Sequence, residues 1–304
     1  MINDGKGKFT DKISTLAPQL QKAGMITDAA WIDINNDKKP DLIVVGEWIP
    51  VSVFINTNGK FENKTSSYFD KEYSGWWNKL LVTDLNGDGK PDLVIGNEGL
   101  NTQCKVTPNE PAEMYYKDFD NNGSIDPVFC FYIQHKSYPY ISRDELLDQM
   151  SSMRVRFPDY KSYADAEMKD IFTTEEMKDV KHLQANHLTT TYFETGVDGK
   201  FHEKALPIQA QFAPVFSITA VDYDKDGKQD LLLCGNINHA RLRFGKSDAN
   251  FGVLLKGDGK GNFNYVNQQQ SGFHIWGDVR SVLNINNTLL FGINQSDTKA
   301  YKLN

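Results

Sequence analysis

A nine-residue acidic phrase occurs four times in this chain, as "DINNDKKPD" (33–41), "DLNGDGKPD" (84–92), "DFDNNGSID" (118–126) and "DYDKDGKQD" (222–230). Apolar, β-prone runs flank the copies. "ITDAAWI" and "LIVVGEW" bracket the first, "WNKLLVT" and "LVIGN" the second, and "FSITAV" and "LLLCGN" the fourth. The unit is strand, acidic loop, strand. Its nearly continuous apolar runs predict strands buried on both faces. A unit repeated in this way limits the fold more tightly than any bulk property does.

A second phrase recurs as "INTNGKF" (55–61), "FETGVDGKF" (193–201) and "LLKGDGKGNF" (254–263). These Gly/Asn/Asp clusters read as tight hairpins, in which glycine supplies positive φ. Strand, acidic loop, strand, strand, hairpin, strand makes a four-stranded antiparallel sheet. Such sheets repeated every 40–50 residues predict an all-β propeller of about five blades, spanning 1–304 as one propeller or propeller segment. The chain opens on the second phrase, "INDGKGKF" (2–9), and ends in "DVRSVLNI", "TLLFGIN" and "KAYKLN", three strand-like runs without an acidic loop. Joining Asn304 to Ile2 completes one blade from both termini and hides its edges; the alternative is a piece cut from a longer propeller.

Residues 135–190 break the β pattern and predict a helical insertion within one blade, between "PVFCFYI" (127–133) and "HLTTTYF" (187–193). Three helices are expected there. The first starts at a capping box of Ser142 and Glu145 and stops at Pro158, the second lies in "DYKSYADAEMKDIF", and the third, "TTEEMKDVKHL", is capped by Thr173 and Glu176.

The acidic phrase has the chemistry of a hard-cation cage. Side chains at positions 1, 3 and 5 converge when the backbone curls, position 7 offers a carbonyl, and position 9 closes the ring. In the fourth copy these are Asp222, Asp224, Asp226, Lys228 and Asp230, with Gly227 allowing the bend. The corresponding sets are Asp84, Asn86, Asp88, Lys90 and Asp92; Asp118, Asp120, Asn122, Ser124 and Asp126; and Asp33, Asn35, Asp37, Lys39 and Asp41. All-oxygen donors crowded with carboxylates suit Ca²⁺ better than octahedral Mg²⁺, so two to four structural Ca²⁺ ions are expected. Lys38 replaces the glycine in the first copy, which is expected to be the weakest or empty. The competing reading is an Asx-rich turn held by its own hydrogen bonds.

These motifs resemble the FG-GAP or VCBS repeat proteins, a family that includes the integrin α-subunit propeller. The resemblance runs through "GWWNKLLVTDLNGDGKPDLVIGNEGLN" (75–101), "KDFDNNGSIDP" (117–127), "LPIQAQFAPVFSITAVDYDKDG" (206–227) and "SDANFGVLLKGDGKGNF" (247–263). It is closest to long extracellular VCBS-repeat proteins of the Bacteroidetes type. The resemblance implies calcium-bearing blades, an extracellular or cell-surface location, and a fragment of a longer chain. It implies little about a ligand.

Composition narrows the partners. A net charge of −7 and a pI near 5.4 argue against nucleic acid or an anionic membrane surface. Thirteen of the 40 acidic residues lie in the four phrases, so the negative charge is focused on them. The longest nearly apolar run, "FAPVFSITAV" (212–221), is half of what a bilayer span needs. "MINDGKGKF" does not read as a secretion signal, so an exported chain would carry its signal outside this sequence. Cys104, Cys130 and Cys234 show no metal or redox spacing and are expected as buried free thiols.

Three functions fit. The first is an extracellular binding or scaffold module for a glycan or protein, with Trp48, Trp76, Trp77, His239, Arg241 and Arg243 near strand ends as candidate contacts. Against it, at least three of the five tryptophans are expected to be packing between blades. The second is a polysaccharide-lyase-like enzyme using His239, Arg241, Arg243 and Lys246. The third is a purely structural segment of a large surface protein. No GxSxG, HExxH or Cys–His arrangement is present, and His182 and His187 read as helix-surface or turn residues, so catalysis is the weaker expectation.

Overall fold

The computed structural model describes residues 1–241 and 243–303. In chain order, β1 (Ile2–Asn3) and β2 (Phe9–Thr10) pair with each other as a small exposed hairpin. Strands β3 (Met25–Ile32), β4 (Asp41–Pro50), β5 (Ser52–Thr57) and β6 (Lys60–Asn63) form an antiparallel meander, followed by the short β7 (Ser74–Trp76). Next come β8 (Lys79–Thr83) and β9 (Asp92–Gly96), paired antiparallel. The chain then runs through β10 (Ala112–Lys117), β11 (Asp126–Ile133), β12 (Lys136–Pro139) and β13 (Lys181–Ala185) before β14 (Thr191–Thr195) and β15 (Phe201–Lys204). Strands β16 (Val215–Val221), β17 (Asp230–Gly235), β18 (Val253–Gly257) and β19 (Phe263–Val266) form another meander, and β20 (Asp278–Ile285), β21 (Thr288–Asn294) and β22 (Lys299–Lys302) a three-stranded sheet.

The connectivity is nested. Strand β14 pairs with β9, Tyr192 opposite Val94, so one sheet runs β15-β14-β9-β8 across a gap of almost a hundred residues. The described residues separate into two compact units that follow this nesting: 1–72, 76–102, 188–241 and 243–303 form the first, and 73–75 with 103–187 the second. Runs 127–133 and 187–193, joined across the helices in the sequence reading, therefore belong to different sheets. The second unit has its own sheet, β12-β11-β10-β13, with the helical residues between β12 and β13.

In the first unit, β17 shows why the strands read as apolar on both faces. All six of its residues are buried. Leu231 and Leu233 pack with Val94, Tyr192 and Leu85, whereas Leu232 and Cys234 pack with Val279, Leu289 and Phe291. Side chains alternate along a strand, so one sheet supplies two interfaces. Each fully buried leucine contributes about 1.5–3 kcal/mol relative to exposure.

In the second unit, Leu146, Leu147, Met150, Met153, Ile171 and Phe172 pack on Val128 and Cys130 of the sheet. The helical part is more broken than its periodicity predicts, with helices at Arg143–Gln149, Met153–Arg156, Tyr160–Tyr163 and Met168–Ile171. The Ser142–Glu145 capping box is formed. A third helix at "TTEEMKDVKHL" is not. Thr173 and Glu176 do exchange capping hydrogen bonds, but Asp179 takes φ 59° and ends the turn. Lys117 donates to the carbonyls of Glu176 and Lys178, and Lys181–Ala185 becomes β13. His182 is thus a strand residue, stacked on Tyr115 and 3.0 Å from Glu113.

Among the described residues, β1–β2 and β20–β22 pair only within themselves; Asn304, which the joined-termini reading placed before Ile2, lies outside them. The three cysteines are buried and none is in a disulfide. No helix among the described residues is long and apolar enough to cross a membrane.

Candidate metal loops

All four acidic phrases connect two antiparallel neighbours: β3 to β4, β8 to β9, β10 to β11 and β16 to β17. Their backbones are alike. Positions 4 and 6 both take left-handed φ, as in Lys225 (61°) with Gly227 (82°) and Asn121 (59°) with Gly123 (89°). The first copy keeps this geometry without glycine, since Asn36 has φ 59° and Lys38 φ 65°. A non-glycine residue held there costs on the order of 1 kcal/mol or more.

That curl turns the position 1 carboxylate inward. Asp222 accepts the N–H groups of Asp226 and Gly227, each at 3.0 Å, and Asp118 those of Asn122 at 3.0 Å and Gly123 at 2.9 Å. Asp33 receives Asp37 and Lys38, and Asp84 receives Gly87 and Gly89. Position 7 donates its N–H to the position 5 side chain: Lys39 to Asp37, Lys90 to Asp88, Ser124 to Asn122 and Lys228 to Asp226. The Asx-turn network is therefore fully formed in every copy. It also prepays the ordering that binding of an ion would otherwise require.

Position 9 also ties the loop to the sheet. Asp41, Asp92, Asp126 and Asp230 are all buried. Each accepts the N–H of position 2 at 3.0–3.1 Å, from Ile34, Leu85, Phe119 and Tyr223. In the first unit a second N–H arrives from the next strand: Asn56 on Asp41 at 2.7 Å, Thr195 on Asp92 at 2.9 Å and Gly257 on Asp230 at 2.9 Å. The aspartate fastens loop, hairpin and third strand together. Burial pushes the carboxyls of Asp92 and Asp230 up from their usual range, against the lowering effect of those N–H donors.

Two loops gather three carboxylates. Oxygens of Asp118, Asp120 and Asp126 lie within 4.8 Å of one another, as do those of Asp222, Asp224 and Asp226; these are the groups of this kind among the described residues. Asp230 is not in the second group. In the copies at 33–41 and 84–92, position 3 is the amide Asn35 or Asn86, which still offers a neutral oxygen. All donors are oxygen, the set that hard cations take. The fourth loop also holds an internal cation. The Lys256 ammonium contacts Asp224 and lies 3.2 Å from Asp226, while Lys228 sits 3.3 Å from Asp226. Lysines at position 7 approach more loosely elsewhere, at 3.9 Å for Lys39 and Asp37 and 3.8 Å for Lys90 and Asp88.

The candidate ligand contacts do not form one surface. Trp77 is fully buried and belongs to the core. Trp48 and Trp76 meet edge to face at 5.4 Å and line a cavity with Glu47 and Glu98. Trp31 and Trp276 are mostly exposed, so packing between sheets does not account for them. His239, Arg241 and Arg243 are exposed, and the His239 ring lies 3.5 Å from Asp278. Sequence reasoning missed Glu47 and Glu98, although both lie in quoted phrases, "GEW" and "GNEGLN".

Residues 33–95, which hold the first two acidic phrases, match the FG-GAP-like repeat family. A search of curated proteins gives no match. Among solved structures, the chain is similar to the V. cholerae biofilm matrix protein Bap1, at 10% identity and a TM-score of 0.27. The match covers 90% of this chain and 60% of that one, so the chain spans less than two thirds of that protein.

Proposed function

We propose that this chain, an FG-GAP-like repeat protein over residues 33–95, is a calcium-stabilised β-propeller module of an extracellular protein that binds or scaffolds a glycan or protein partner. The observation that carries the reading is the trio Asp222, Asp224 and Asp226, together with its counterpart Asp118, Asp120 and Asp126, each in a loop joining two antiparallel neighbours of its own sheet. The carboxylates hold the turn by accepting N–H groups, but gathering three of them adds a repulsion that the turn itself does not require. A divalent cation offsets that repulsion.

The residues that would hold the ions are Asp118, Asp120, Asn122 and Asp126 in one loop and Asp222, Asp224 and Asp226 in the other. Asn86 and Asn35 serve the two less charged loops at positions 84–92 and 33–41. A bound Ca²⁺ supplies charge neutralisation and holds the loop closed, a structural part rather than a chemical one. The chain's own groups do the rest. Position 1 fixes the curl, and position 9 ties the loop to its hairpin and, in the first unit, to the third strand. The lyase-like alternative gains no support, because His239, Arg241 and Arg243 sit exposed and outside the cavity lined by Trp48 and Trp76.

The test is thermal melting with added Ca²⁺ and with excess EDTA. At roughly 100 times the dissociation constant each occupied site stabilises the fold by about 2.7 kcal/mol. An identical melting temperature in both conditions rejects the calcium reading, and Mg²⁺ acting as well as Ca²⁺ rejects the choice of ion.

A further inference from the structure

In three successive sheets of the first unit the second strand carries a buried run closing on glycine: "LIVVG" at Gly46, after which β4 continues to Pro50, and "LVIG" at Gly96 and "LLLCG" at Gly235, where β9 and β17 end. The residues just after these glycines converge. Glu47 and Trp48 from the first sheet, Glu98 from the second and Ile237 from the third line one cavity of about 190 Å³, completed by Trp76, Asn78 and Phe216. Buried amides fix its rim. Asn97 accepts the N–H groups of Trp76 at 3.2 Å and Glu98 at 2.8 Å, and Asn236 donates to the carbonyls of Asn250 and Gly277.

We propose that this cavity is a binding site for a primary alkylammonium group, an ammonium carried on a short apolar stem. The proposal deepens the binding-module reading by giving that module a ligand class. Its walls are two indoles and a phenyl ring, and its charged groups are both anionic. Among the described residues, neither the Glu47 nor the Glu98 carboxylate makes a hydrogen bond or ion pair. Arg280, which stacks on the lining ring of Phe216, is committed elsewhere. Its guanidinium stacks 4.1 Å over Phe216, donates to the Asn236 carbonyl at 3.0 Å and lies 3.8 Å from Asp278. Two unpaired carboxylates beside aromatic faces suit an organic cation, which gains both ion pairing and cation–π attraction once desolvated.

Two further features fit. Trp48 is held at φ 60°, a conformation that a bulky residue seldom adopts without a reason. Burial and the neighbouring Glu47 push the Glu98 carboxyl up to about 7, the state expected of an acid that lacks its counter-ion. A volume near 190 Å³ also exceeds the roughly 150 Å³ that admits benzene into an engineered cavity.

The experiment titrates the whole chain, in an amine-free buffer containing Ca²⁺, with n-butylammonium and with n-butanol, read by tryptophan fluorescence and calorimetry. Saturable binding of n-butylammonium, none of n-butanol, and at least a ten-fold loss in Glu98→Gln are expected. An equal response to n-butanol, no saturation by n-butylammonium, or undiminished affinity in a folded Glu98→Gln would overturn the proposal. Should Glu98→Gln fail to fold, Glu47→Gln carries the same expectation. The loops are read separately by melting in EDTA, so loss of the calcium effect leaves this result standing, and the reverse.

Discussion

Tyr192 donates its hydroxyl to Asp92 across 3.0 Å, although the two residues stand 100 positions apart in the chain. The same hydroxyl lies 3.3 Å from Glu194, and Asp92 also accepts the N–H groups of Leu85 and Thr195. This bond sits where the interrupted sheet is rejoined, with Tyr192 opposite Val94. Tyr192→Phe keeps the ring and its packing against Phe263 but leaves a buried carboxylate one donor short. A loss of about 1–3 kcal/mol is expected in urea unfolding, with the slope unchanged. A loss below about 0.5 kcal/mol would mean that the bond does not help to close the sheet.

Lys38 shows the opposite situation, a residue the loop does not suit. Its φ of 65° matches the glycines at the same place in the other copies, Gly89 at 81°, Gly123 at 89° and Gly227 at 82°. Lys38→Gly relieves that strain, though it also loosens the unfolded chain, and the net expectation is a gain of about 0.5–1 kcal/mol. Gly227→Ala is expected to lose a similar amount or more, because no heavy atom crowds its Cβ position and only the backbone is penalised. Opposite signs for the two variants in the same denaturation assay are the required result.

The acidic phrases, the second hairpins and the buried strands were legible because each is local: alternation, turn residues and spacing all lie within nine or ten positions. What was hidden depends on partners brought in by the fold. Asp230 reads as a cage ligand, yet the N–H group of Gly257 that claims it lies 27 positions away. The pairing of β9 with β14 was hidden for the same reason, since both flanking runs look like neighbours of whatever strand comes next. At 173–183 the capping signature was read correctly, but Thr173 and Glu176 cap a turn that Asp179 cuts short at φ 59°. Glu47 and Glu98 belong to different repeats, and only the register of the sheets brings them to one cavity.

Lys256 tests how the fourth loop manages its charge. Its ammonium contacts Asp224 and Asp226, two of the three carboxylates gathered there, and those contacts hold its pKa well above the usual lysine range. A cation entering the loop must displace it. Lys256→Met keeps the stem on β18 and removes the competitor, so Ca²⁺ is expected to bind this loop a few-fold more tightly, with a steeper dependence on ionic strength because the site is more negative. The matched control is the loop at 118–126, whose affinity is expected to stay fixed. Calorimetry on the parent and the variant separates the loops, and an unchanged fourth-loop affinity would remove the lysine from the account.

Glu98 gives the fold a pH dependence of definite sign. Its carboxyl is pushed up to about 7 by burial first and by Glu47 second, above the 4.5 of a free glutamate. The folded chain therefore holds this proton more tightly than the unfolded chain does. The resulting stability is fully present below about pH 4.5 and is lost as the pH rises through about 7. With one pKa unit worth about 1.36 kcal/mol, and the side chain partly reached by solvent, the decline from this group is roughly 1–3 kcal/mol. Glu98→Gln removes it, so the variant and the parent should diverge progressively between pH 4.5 and 7, the variant being the more stable at neutral pH. Urea midpoints measured across that range in amine-free buffer decide the matter, and parallel pH profiles would show that the carboxyl titrates normally in the fold.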